Sequence, residues 1–124
     1  MAGKRKVEKT LAYWMEANER QQRREIKRRL EEAGWLVFSF SVHHQVESQL
    51  ADWPDLVAFK DDRVLLIEAK RATGRLSDGQ SGFRERLLPH LGPHVQHIVT
   101  FLPDDIDEWL DVNAGYWRTS VVER

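Results

Sequence analysis

The sequence has no cysteine, only four prolines and seven glycines, and a net charge of just −1. Without cysteine there are no disulfides and no thiolate metal sites, which fits a reducing interior. No apolar run is long enough to cross a bilayer and no charged-then-apolar leader opens the chain, so a cytoplasmic rather than secreted protein is expected. The near-neutral balance gives no global sign of a nucleic-acid partner, and no repeat or low-complexity linker divides the chain. With 124 residues, 41% hydrophobic and 31% charged, there is material for one soluble domain with one core.

Charge is present but segregated. Residues 1–30 carry Lys4, Arg5, Lys6, Lys9, Arg20, Arg23, Arg24, Lys27, Arg28 and Arg29 against four glutamates, whereas residues 103–111 carry five acids and no base. Residues 1–7 read as a basic, flexible N-terminus and residues 8–124 as a single domain. From Glu8 to Ala33 no proline or glycine interrupts a helical pattern, and Gly34 is the expected stop. At about 100° per residue, Met15, Ile26, Leu30 and Ala33 cluster within roughly 40° of position 19, so Glu19 falls in the middle of an apolar stripe. Either the helix breaks near Asn18 and leaves Glu19 solvated, or the carboxylate has a task. Arg20, Arg24, Lys27 and Arg28 lie on the outer side, with Arg23 flanking the stripe. That face is either a solvated surface with pairs such as Glu25–Arg29 or a phosphate-binding surface.

Residues 53–70 are the most informative stretch. Val57-Ala58-Phe59 and Val64–Ile67 read as a hairpin around the polar turn Lys60–Arg63, yet this apolar hairpin carries Asp55, Glu68 and Lys70. Strand alternation sets Glu68 and Lys70 on one face and Ala69 on the other. Buried charge is costly unless paired or bound to a metal.

The remaining segments supply the frame. Trp35–Val42 reads as a strand with Phe38, Phe40 and Val42 on one face and Ser39 and Ser41 on the other. The adjacent His43 and His44 point opposite ways in an extended segment and make a poor chelating pair. Ser77-Asp78-Gly79-Gln80 is a capping-box pattern that opens a helix, and Gln80 shares that helix's inner stripe with Phe83, Leu87 and Leu91. Gln80 therefore has a capping explanation before any functional one. His94–Leu102 reads as another strand, Pro103–Leu110 as a helix whose first acids complement its positive end, and Tyr116–Val122 as a short terminal strand.

The order helix, strand, strand, strand, helix, strand implies an α/β domain: a mixed β-sheet flanked by helices, with the last strand parallel after a helical crossover and a small C-terminal addition. Such a sheet can bring Asp55, Glu68 and Lys70 to one end of neighbouring strands, with Glu19 facing the same point. Three carboxylates suit a hard divalent cation, and a lysine beside them can orient or help deprotonate water, which together suit metal-assisted phosphodiester hydrolysis.

These residues resemble a known family. Pro54-Asp55, a spacer and Glu68-Ala69-Lys70 look like the signature of the PD-(D/E)xK nuclease superfamily. Glu19 ahead of Gly34-Trp35, the segment Thr73–Gln80, the Val95–Phe101 strand and Pro103–Ile106 are similar to its VRR-NUC branch, over about residues 16–110. Trp53-Pro54 departs from that pattern, which commonly has a glycine before the aspartate. The resemblance implies the restriction-endonuclease-like αβββαβ core and a stand-alone, Holliday-junction-resolvase-like nuclease. Asp55, Glu68 and the Ala69 carbonyl would ligate Mg2+ or Mn2+, with Glu19 doing so directly or through water. Lys70 would position the attacking water, and Gln80 would support the site or the DNA. It further implies a homodimer from a bacterium or phage that acts on branched DNA such as junctions or flaps. For contact with DNA we expect Arg23, Arg24, Lys27, Arg28, Arg71 and Arg75. A non-cleaving or partner-dependent nucleic-acid-binding module on the same fold is the alternative from another class. A sequence-specific, restriction-like enzyme is disfavoured because the chain is short for a separate recognition element.

Overall fold

A computed structural model describes residues 9–40 and 52–113. The expected terminal strand, the His43-His44 pair and the basic residues 1–7 lie outside these residues. Helices α1 (Leu11–Glu16) and α2 (Glu19–Glu32) lead into strand β1 (Leu36–Ser39) and the hairpin β2 (Leu56–Lys60) and β3 (Arg63–Ala69). Helix α3 (Asp78–Leu87) and a 3-10 turn (Leu88–His90) cross to β4 (Val95–Thr100), and α4 (Pro103–Asn113) follows. The sheet order is β1-β2-β3-β4, antiparallel except for the parallel β3–β4 pair that the helical crossover requires.

The single long helix expected over 8–33 is two helices. Ala17 leaves the helical conformation, and Asn18 restarts it with a capping box: its side chain accepts from the Gln21 N–H while the Gln21 side chain accepts from the Asn18 N–H. The N-cap pattern, not a proline or glycine, makes the break. The predicted stop at Gly34 is present, with φ at +94°, a value that glycine adopts without a Cβ penalty.

α2 and α4 cover one face of the sheet. Ile26 and Leu30 pack there with Val37, Leu56, Ala58, Leu65, Ile67, Ala69 and Ile106 in one core. Each fully buried leucine or isoleucine among them contributes roughly 1.5–3 kcal/mol. Arg29 ties the two helices together by bonding Asp104 at 2.9 Å and also Asp107, while bonding Glu25 at 2.8 Å within its own helix, as expected for that pair. Asp105 accepts from the N–H groups of Phe101 and Leu102, so the acids at the start of α4 serve the helix end and the α2–α4 contact.

On the opposite face, α3 covers only part of the sheet. None of its residues is fully buried, which corrects the expected buried stripe. Alternation sends Val37 to the core and leaves Phe38 and Phe40 on this second face, 49% and 40% exposed. Phe59 sits beside Phe38 there, with ring centroids 6.1 Å apart. At one side of α3, the Asp52 carboxylate lies so close to Gly79 that a Cβ there would meet Oδ1 at 2.4 Å. A side chain at position 79 would therefore displace the Asp52 carboxylate, in the segment that leads into Asp55.

Candidate metal and phosphodiester site

The β2–β3 register builds the site. Leu56 opposes Ile67, so one step further along the ladder Asp55 opposes Glu68. Leu56, Ile67 and Ala69 point to the core, and alternation therefore turns Asp55 and Glu68 to the second face, under α3. Asp55 is fixed there by accepting the Ala69 N–H through Oδ2 at 2.9 Å. Glu68 is 1% exposed, and its Oε2 is buried with no hydrogen-bond partner. Loss of solvation pushes its carboxyl up to about 8. The neighbouring Asp55 charge adds to this, while Lys70 opposes it.

Gln80 answers the question its sequence position raised. Its Oε1 accepts the Ser77 N–H at 2.9 Å, completing the capping box, and its Nε2 donates to Glu68 Oε1 at 3.3 Å. One amide serves both roles because it has an acceptor at one end and donors at the other. Lys70 lies just past β3, 8% exposed, with its backbone N–H donating to the Thr100 carbonyl at 2.8 Å. Glu19 stands at the first position of α2, and its carboxylate is 3.8 Å from the Lys70 ammonium. The helix does break beside Glu19, yet the residue is directed at the site rather than lost to solvent.

Asp55, Glu68, Lys70, Glu19 and Gln80 thus form one connected group. Glu19 also faces this point: its charge adds to the upward push on Glu68, and its carboxylate lies nearest the Lys70 ammonium. Among the described residues no set of three or more His, Asp or Glu side chains is arranged to hold a metal. The Asp55–Glu68 pair still fits a hard divalent cation. It is an all-oxygen donor set, one buried oxygen lacks a partner, and the two adjacent carboxyls repel when both are ionised. Magnesium-sized ions bind through one or two carboxylates and leave other positions to water and substrate phosphate.

The basic residues divide. Arg71 and Arg75 are exposed in the loop that follows Lys70. Arg24, Lys27 and Arg28 line a groove with Tyr13 and Trp14 between α1 and α2, and Arg23 is half-buried. Arg28 is also paired within the helix, with Glu25 at 2.6 Å and with Glu32.

Sequence reasoning missed three polar residues. Gln22, one turn beyond Glu19, is fully buried and donates to the Trp14 carbonyl at 2.7 Å, fastening α1 to α2. Its signal was available, because it lies roughly 60° from Glu19 on the same stripe. His97 is 4% exposed, and Arg84 bonds it from α3. Burial, with the Arg84 charge, pushes the His97 imidazole down to about 4, so it is neutral at ordinary pH.

A family model described as archaeal Holliday junction resolvase (Hjc) matches residues 15–77, a stretch that includes Glu19, Asp55, Glu68 and Lys70 and ends just before Gln80. A solved structure titled "VRR_NUC domain" is similar in fold, with a TM-score of 0.59 and 19% identity, covering 75% of this chain and 94% of that one. Comparison with curated proteins gives no match.

Proposed function

The chain belongs to the archaeal Holliday junction resolvase (Hjc) family, and from that premise we propose that it is a divalent-metal-dependent endonuclease that hydrolyses phosphodiesters in branched DNA. The observation that carries this reading is the buried Glu68 carboxylate, with one oxygen unpartnered, beside Asp55 and within reach of the Lys70–Glu19 pair. Asp55 and Glu68, with the Ala69 carbonyl, would hold Mg2+ or Mn2+. When bound, such an ion lowers the pKa of water and stabilises charge on a phosphoryl oxygen.

The other tasks fall to the chain itself. The Ala69 N–H fixes the Asp55 carboxylate, and the Gln80 amide fixes one oxygen of Glu68, leaving the second directed at the site. Lys70 is held in a nearly dry position, where its ammonium would orient the attacking water, while the proton that water loses passes to solvent and the leaving oxygen gains one in turn. Glu19 holds the Lys70 side chain in place and supplies the compensating charge. Water adds to phosphorus and one P–O bond breaks, leaving a phosphate end and a hydroxyl end. The test is a panel of four-way junction, flap, single-stranded and linear duplex DNA with Mg2+ or Mn2+. Preferential cutting of branched substrates is expected, and binding without cutting of any member would support a binding module instead.

The α2 surface gives a sharper expectation for DNA contact. Arg24→Glu should weaken binding and make its salt dependence shallower, because each phosphate contact adds to that slope. Arg28→Gln should change the slope less than Arg24→Gln, since Arg28 is already bonded to Glu25 and Glu32. Equal slopes for wild type and Arg24→Glu would make this helix face merely solvated.

For the proposed homodimer we assign an apolar surface of the sheet. Leu36, Phe38, Phe40 and Phe59 are 60%, 49%, 40% and 39% exposed, and they are neighbours near the β1 edge. Together they expose on the order of 400 Å² of apolar surface, about half of the roughly 800 Å² that each partner gives a stable interface. None carries the charge that a phosphate surface needs, so a second copy of this chain is the occupant proposed. Sedimentation should show a dimer that Phe38→Asp converts to monomer; a monomeric wild type would refute this placement.

A further inference from the structure

We infer that Arg84 is a positioning residue for this site: by clamping α3 to His97 on β4 it holds the Gln80 amide on Glu68. The inference rests on the proposed hydrolytic site and extends it to a residue some distance away in the fold.

α3 needs such a clamp. It buries no residue fully, so apolar burial does not settle its position. Its anchors are specific instead. Gln80 donates to Glu68, Phe83 lies 6.0 Å from the Trp53 ring and 6.3 Å from the His97 ring, and Arg84 bonds His97 twice. Arg84 Nη1 donates to the His97 carbonyl at 2.9 Å and meets His97 Nδ1 as well.

Among the described residues, the target carbonyl lies on the edge strand of the sheet. Val64 N–H donates to the His94 carbonyl and Lys70 N–H to the Thr100 carbonyl, so even-numbered residues of β4 pair with β3. Odd-numbered residues, His97 among them, turn their backbone groups outward at the end of the sheet. Arg84 satisfies one of these outward carbonyls. The neutral imidazole supplies a second acceptor, which a protonated ring would withdraw.

Helical geometry couples the clamp to the site. Arg84 and Gln80 are four residues apart, so they share a face of α3 and stand about 6 Å apart along its axis. On the sheet, His97 opposes Leu66, and Glu68 lies two residues further along β3. α3 therefore spans a diagonal between two fixed points, and rotation or sliding that breaks one contact breaks the other. Arg84 and His97 touch neither reacting atom; they act through Gln80.

The test combines Arg84→Ala, Arg84→Lys and Gln80→Ala with the double variant Gln80→Ala/Arg84→Ala. The first readout needs no catalysis: the Gln80 side-chain NH2 signals in a 15N spectrum, identified by their disappearance in Gln80→Ala, should shift in Arg84→Ala and return part-way in Arg84→Lys. The second is a double-mutant cycle on junction cleavage. Arg84→Ala should lower kcat about tenfold with KM for DNA changed less than about twofold, and should cost less than about twofold once Gln80 is already alanine. An unshifted Gln80 amide, or a full tenfold loss in the Gln80→Ala background, would overturn the inference. Should Arg84→Ala fail to fold, Arg84→Lys keeps both tests, because it retains the charge while its shorter side chain and compact ammonium cannot reproduce the position of the guanidinium Nη1 that meets both acceptors. If no variant, wild type included, cuts DNA, the hydrolytic reading fails, while the amide shift still decides whether Arg84 positions Gln80.

Discussion

Asp55→Asn should reduce cleavage on the order of a thousandfold, equivalent to about 4 kcal/mol of transition-state stabilisation, without unfolding the protein. Asparagine is the informative replacement. Its side-chain oxygen can still accept the Ala69 N–H that Asp55 Oδ2 accepts at 2.9 Å. Alanine would leave that N–H without its partner, at a cost of about 1–3 kcal/mol, and would mix a folding defect with a chemical one. Asparagine also removes a charge that repels Glu68, so the variant should melt no lower than wild type in the absence of divalent cation. Lys70→Ala should be similarly inactive, because the buried ammonium beside Glu19 has no substitute within the described site. Cleavage at wild-type rates by either variant would sink the proposed chemistry. Loss of cleavage together with lost helical signal would instead assign Asp55 to the fold.

The second large effect is on stability. Glu68 is raised from 4.5 to about 8 in the folded protein, so the folded state binds its proton more tightly than the unfolded chain. Its contribution is fully present below pH 4.5 and is lost as pH rises toward 8. His97 works in the opposite sense: its value falls from 6.5 to about 4, so its contribution is lost as pH falls through that interval. Below pH 6.5 the two oppose each other, and between 6.5 and 8 Glu68 acts alone. At about 1.4 kcal/mol per pH unit, that interval should cost roughly 2 kcal/mol without metal. A domain of this size should then melt on the order of 5–10 °C lower at pH 8 than at pH 6.5. Glu68→Gln should flatten the decline. Saturating Mg2+ should also remove it, because the cation favours the ionised pair. A metal-free melting temperature that stays level across the interval in wild type would show that the Asp55–Glu68 pair is not held as described.

Much of this was legible from residue order. Alternation placed Glu68 and marked Lys70, the capping-box spacing placed the start of α3, and the single crossover helix required β4 to be parallel. What was not legible has specific causes. Alternation tells which residues of β1 share a face but not which face turns inward, so Phe38 and Phe40 could not be assigned to the open side. The break before Glu19 was signalled by Asn18 and Gln21 at capping distance, yet an uninterrupted run of helix formers reads as continuous when only proline and glycine are taken as breaks. The joint pairing of Arg28 with Glu25 and Glu32 was not legible, because both partners had to be positioned at once. The Arg84–His97 clamp joins residues thirteen apart across a crossover, and no local pattern encodes that contact. Gln80 was framed as a choice between cap and site, but the two ends of one amide removed the choice.

The interruption at Ala17–Asn18 has a consequence for how this chain tolerates change in length. In one continuous helix, each residue inserted upstream would rotate everything beyond it by about 100°, and the phase of Glu19 would depend on the count from the N-terminus. Here the phase is set locally, because Asn18 and Gln21 define where α2 begins. Insertions before Ala17 can therefore alter α1 while Glu19 keeps its bearing on Lys70. The N-terminal side of the domain is in this sense a reading frame that restarts at residue 18, and a fusion or graft made upstream of that point leaves the orientation of Glu19 untouched.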